Sequence, residues 1–141
     1  MKQTYGKRLL FFFFFTVLVL SLAGCGKKAE EINKIKDLEY TVVEEGNVPE
    51  EMLAKINEKK LEPFTMTYQS DGYLYIAEGY GTQKSGGYSI RVKELYEAEQ
   101  GIVFKSELLG PGKDEPVTQM ETHPYIVVKL KDIGKELFSW N

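Results

Sequence analysis

From Pro63 onward, apolar and polar positions alternate with a period of two. That period marks strands with one buried face. Residues 64–69 (FTMTYQ) alternate and run into the turn signal Ser70-Asp71-Gly72. Residues 73–80 (YLYIAEGY) follow and are apolar on both faces, which predicts a central strand. After residues 81–87, Tyr88, Ile90 and Val92 alternate with Ser89, Arg91 and Lys93, a strand with one wet face. Residues 97–101 make a turn, and residues 102–109 (IVFKSELL) a further strand. Residues 110–116 (GPGKDEP) form a long loop, and residues 117–120 a short strand. Thr122-His123-Pro124 interrupts the pattern, because proline cannot donate to a ladder and restricts its predecessor. Residues 125–130 (YIVVKL) are the last clear strand, buried on both faces. The tail, residues 131–141, has room for one helical turn, with Leu137, Phe138 and Trp140 placed to pack back on the body.

Upstream the period changes. Residues 38–44 (LEYTVVE) read as a strand, broken by Gly46-Asn47-Val48-Pro49. In residues 49–60, Met52, Leu53 and Ile56 share one helical face. Pro49, Glu50 and Glu51 suit the first turn, and Lys59 and Lys60 the last. Asn47 or Val48 is the expected cap. The sum is a mainly β (α+β) fold: a small antiparallel β-sandwich or curled sheet of six to seven strands with one short covering helix. An open sheet with the helix on one face is the alternative.

The first residues obey a different rule. Lys2, Lys7 and Arg8 precede an apolar run at residues 9–23, interrupted by Thr16 and Ser21. Fifteen residues suit a signal peptide, whereas a spanning helix needs about 20. The run ends Leu22-Ala23-Gly24-Cys25, which resembles the lipobox of bacterial lipoproteins. That resemblance implies diacylglyceryl transfer to Cys25, with palmitate-type acyl chains, and cleavage after Gly24. Residues 1–24 are then a signal, residues 25–37 a lipidated cysteine and flexible tether, and residues 38–141 the domain. The tether is highly charged and reaches about 40 Å if extended. Acyl chains contribute about 0.8 kcal/mol per buried methylene, so two or three hold a chain at a membrane. Cys25 is the only cysteine, so no disulfide is expected.

Charge narrows the partners. The chain has 18 basic and 21 acidic residues; three of the basic ones and none of the acids lie in the signal, leaving a net charge of −6. That disfavours nucleic acid and electrostatic attachment to anionic lipid.

Catalytic machinery is not legible. His123 is the only histidine and the only thiol is the lipidation candidate, so a nucleophile–base pair lacks its parts. No Gly-x-Ser-x-Gly elbow is present. Zinc would need more Cys or His, and the acidic pairs Glu44-Glu45 and Asp114-Glu115 are too few for calcium. Neither a catalytic residue, a metal site nor a cofactor is expected. What remains is surface: nine tyrosines, many beside strands, which serve either as core residues or as interface anchors. Residues 82–88 (TQKSGGY) are either a plain hairpin turn or a binding loop. The glycine pair bares the backbone for close approach.

Two motifs carry a family resemblance. One is residues 81–90, GTQKSGGYSI; the other is Pro111-Gly112, then Val117-Thr118-Gln119, then Thr122-His123-Pro124-Tyr125. In this order they resemble the PrcB C-terminal domain family, which reads roughly G-x-K-P-T-G-G-Y and P-x-x-G, V-T-Q, T-x-P-Y. The chain departs at Lys84-Ser85, where the family tends to have Pro-Thr, so this loop is less rigid. The resemblance implies a non-catalytic accessory domain that stabilises an envelope protease complex. It also implies candidate binding residues Lys84, Ser85, Gly86, Gly87, Tyr88, Pro111, Gly112, Thr122, Pro124 and Tyr125. A fainter likeness is to chagasin-like cysteine-protease inhibitors, sandwiches that insert loops from one end into an active-site cleft. It would use residues 82–88 and 110–116, and requires them at one end. The expected partner is an envelope protein, a protease among the candidates. The expected location is the extracytoplasmic side of a membrane, reached through the lipid.

Overall fold

The computed structural model describes residues 32–138. The expected signal segment, Cys25 and Trp140 lie outside the described residues. Among the described residues, seven strands form two antiparallel sheets. They are β1 (Lys34–Asp37), β2 (Tyr40–Val42), β3 (Pro63–Ser70), β4 (Tyr73–Tyr80), β5 (Ser89–Ala98), β6 (Ile102–Leu109) and β7 (Tyr125–Lys131). One sheet has the order β1-β5-β6 and the other β2-β7-β4-β3. The α-helix α1 (Glu50–Lys59) lies against the larger sheet, and a short 3-10 turn (Glu45–Asn47) leads into it.

The side-chain period explains the layering. Leu74 and Ile76 of β4 and Ile126, Val128 and Leu130 of β7 point to one face. There they meet Leu95 and Ile102 of the other sheet, which makes the sandwich core. The intervening residues Tyr75, Ala77 and Val127 point the opposite way, against Val48, Met52 and Ile56. Both faces of β4 and β7 are therefore covered, as their continuous apolar runs require. Met52 and Ile56 are fully buried, and each such burial is worth about 1.5–3 kcal/mol.

A bulge in β5 between Val92 and Glu94 resolves a conflict of parity. Ile90 and Val92 are even-numbered and Leu95 is odd, yet all three pack in the same core. One extra residue flips the alternation, so both halves of the strand stay apolar inward.

Several expectations change. Residues 38–44 do not form one strand: β2 covers only Tyr40–Val42. The last four residues of the expected tether are β1, paired with β5. Their side chains are all exposed, so the strand is held by backbone bonds that composition does not reveal. Residues 117–120 form no strand: Gly86 N–H donates to Thr118 O, and no ladder extends from that bond. Pro49, not Asn47 or Val48, occupies the cap position of α1, without a side-chain cap bond. The described part of the tail is extended, not helical. Leu137 bridges Ile102 in parallel, and Phe138 packs beside Tyr96 and Val103.

The largest change concerns residues 81–88. They do not close a hairpin. β4 belongs to the four-stranded sheet and β5 to the three-stranded one, so this segment crosses between sheets.

Candidate functional site

Past Thr82, whose N–H donates to Leu61 O at 3.1 Å, the crossing segment finds its backbone partners at Thr118 and Thr122. Gln83 and Thr122 exchange two backbone bonds, Gln83 N–H to Thr122 O at 2.8 Å and Thr122 N–H to Gln83 O at 3.0 Å. Thr122 Oγ1 donates to Ser85 O at 2.7 Å, and Gly86 N–H donates to Thr118 O at 2.9 Å. Lower down, Tyr80 N–H donates to Pro124 O at 3.1 Å. The two sequence motifs thus interlock into one surface.

Gly87 closes the interlock by having no side chain. Its φ is +81°, and a Cβ there would sit 2.6 Å from Val117 Cγ1 and 3.0 Å from Pro111 Cβ. Both terms select glycine: the left-handed backbone and the absence of space. Gly86 has ordinary room, with its nearest neighbour at 3.7 Å on Thr118. Tyr88 is half-buried and packs over Gly110, where a Cβ would lie 3.5 Å from the ring.

Below the loops, the two sheets are joined by a polar chain. The Tyr80 hydroxyl lies 2.7 Å from Ser106 Oγ, which donates to Glu78 Oε2 at 2.5 Å. Ser106 spends its proton on Glu78, so Tyr80 donates to Ser106. Burial, chiefly, and the Glu78 charge hold the Tyr80 hydroxyl above its ordinary pKa.

His123 is anchored in the same region. Thr82 Oγ1 donates to Leu61 O at 3.1 Å and lies 3.3 Å from His123 Nδ1. This contact ties residues 82 and 123 together.

The predicted binding residues separate into groups. Ser85, Gly86, Gly87, Tyr88, Pro111 and Thr122 meet in the interlock. Lys84 is exposed beside it. Gly112 forms its own small turn, with its N–H on Glu115 Oε2 at 3.0 Å and its carbonyl accepting from Glu115 N–H at 3.1 Å. Pro124 supports β4 through its carbonyl. Tyr125 does not join the loops: it packs into the core under α1. Among the described residues its buried hydroxyl meets no partner at full hydrogen-bond geometry. Burial raises its pKa, and the Glu45 carboxylate adds to the shift.

Met120 was missed by sequence reasoning. It is 66% exposed, the most exposed of the large hydrophobic residues described. The signal was an apolar residue in a segment read as a strand; without the strand, nothing covers it. Gln83, Val117 and Thr118 stood inside the motifs, but their part in the interlock came only with the fold. Among the described residues, no group of three or more His, Cys, Asp or Glu is placed to hold a metal ion. No described helix is long and apolar enough to cross a membrane.

The family model described as PrcB C-terminal matches residues 74–131. The match begins in β4, ends with β7 and takes in both loops. No curated protein and no solved structure matches the chain.

Proposed function

We propose that the protein, whose residues 74–131 match the PrcB C-terminal family model, is a membrane-anchored bacterial lipoprotein that acts as a non-catalytic accessory subunit. In this reading Cys25 carries the lipid, and the domain stands on the extracytoplasmic side. It binds and stabilises an envelope protein complex, a protease being the leading candidate. The observation that carries the reading is the interlock of residues 82–88 with residues 110–122. It fixes a surface of exposed Lys84, Thr118, Gln119 and Met120 on a rigid two-sheet base. Loops held in this way lose little entropy on binding.

A second reading has one observation in its favour. A loop-inserting protease inhibitor of the chagasin-like type needs residues 82–88 and 110–116 together, and Gly87 and Pro111 are in contact distance.

Affinity capture tests both readings. The chain is immobilised and exposed to detergent-solubilised envelope of the source organism. A retained protein lost with Met120→Asp and with Lys84→Glu supports a partner surface at the loops. Unchanged retention with both folded variants removes the loops from the site. Assaying a retained protease with and without the domain then separates stabiliser from inhibitor. Gly87→Asp is not a clean control, because its side chain collides with Val117 and Pro111 and would disturb the loops themselves.

A further inference from the structure

The two sheets have four edge strands, and three of them are guarded. β1 has four residues, three of them charged, and an irregular register. β2 has only three residues. β6 carries Lys105 and Glu107, and the tail bonds to its first residue through Glu136 O and Phe138 N–H. Short strands, charges and covering segments are the usual devices against edge pairing. β3 is neither short nor charged, and its one proline, Pro63, is its first residue. It runs eight residues, pairs with β4 throughout without a register shift, and contains no charge. Among the described residues, its backbone hydrogen bonds outside that ladder go nowhere. A groove of about 470 Å³ lies against this strand and Leu74 of β4, with Lys135–Leu137 on its far side.

We propose that the β3 edge pairs antiparallel with the β3 edge of a second copy, joining two four-stranded sheets into one. The sequence of the strand fits itself. Phe64, Met66 and Tyr68 point to the helix side and Thr65, Thr67 and Gln69 to the other. In a two-fold pairing centred on Thr67, Thr67 meets its own counterpart, Met66 meets Tyr68, and Thr65 meets Gln69. The outermost pair sets Phe64 against Ser70; inside it each face meets its own polarity, and no like charges oppose one another. This register also leaves Pro63, which has no N–H to donate, outside the new ladder. A register shifted by one residue would set apolar against polar positions along its whole length. The proposal stands apart from the loop surface, which belongs to a different region of the chain.

The test is sedimentation equilibrium of the full chain in a density-matched detergent. The expected result is a reversible monomer–dimer equilibrium. Thr67→Lys, which sets two like charges across the axis, should weaken the dimer at least tenfold. Val42→Lys, on the exposed β2 edge, should leave it unchanged. Mixing Thr67→Lys with Thr67→Glu chains should restore a dimer of the two, a result that a folding defect does not produce. Circular dichroism confirms that each variant is folded. A chain that stays monomeric at the highest concentration reached overturns the proposal. So does a dimer that Thr67→Lys fails to weaken, which would place the contact elsewhere.

Discussion

Two glycine-bearing connections flank β4, and they are built on opposite principles. The β3–β4 turn closes locally, although Gly72 O also accepts from Asp132 N–H at 3.0 Å. Asp71 and Gly72 both have positive φ, +52° and +78°, as a two-residue hairpin turn of the I′ kind needs. Nothing lies within 4 Å of where a Gly72 Cβ would be. The β4–β5 connection is not local. Its Gly87 is packed between Pro111 and Val117, and its neighbours bond to Thr118 and Thr122. One glycine serves a backbone angle alone. The other serves an angle and a contact between segments distant in sequence. A turn of the first kind needs only its own residues; one of the second kind exists only when the rest of the fold is present.

Gly87→Ala is the change that breaks this comparison most sharply. It combines left-handed strain with a collision at Val117, and should destabilise the protein by about 3 kcal/mol. Denaturant unfolding measures the loss, and hydrogen exchange at the Gly86 N–H should rise before global unfolding. A cost no larger than that of Gly72→Ala would show that the loops do not press on each other. Gly72→Ala meets open space, so only the backbone term remains, about 1 kcal/mol. Thr122→Val isolates the hydrogen bond to Ser85 O, and should cost about 1 kcal/mol. Thr122→Ser keeps the hydroxyl and should recover most of that stability.

The smallest effect concerns a fastening remote from both turns. Lys135 binds Glu97 at 3.0 Å and holds the tail to the three-stranded sheet. Its hydrogen bond, ahead of the charges of Lys135 and Lys36, pulls the Glu97 pKa below the ordinary carboxylate value. Arg91 does the same for Glu107. A depressed folded pKa means stability that is present above the unfolded value and lost as pH falls through the folded one. Unfolding midpoints should therefore decline modestly as pH drops below the ordinary carboxylate pKa. Glu97→Gln should flatten part of that slope without changing exchange at Gly86. A Gly86 response to Glu97→Gln would mean that the loop end and the tail end are coupled.

Much of this architecture could be read from the chain. Residues 102–109 were placed as a strand to the residue, and the central positions of β4 and β7 followed from their apolar runs. Local rules suffice there, because a side-chain period reports which faces a strand buries. The loop motifs were visible as well, and so was the family they resemble, now matched over residues 74–131. β1 was hidden because its contribution is backbone pairing under exposed, charged side chains. Met120 was hidden because its segment alternates like a strand, yet forms no ladder beyond the bond from Gly86 N–H to Thr118 O. Which sheet each strand joins was decided only by the tertiary structure. Alternation says that a strand has an inside, but not which other strand it faces. The crossing at residues 81–88 depends on contacts with residues 111–122, and no window of sequence short enough to show a period contains both.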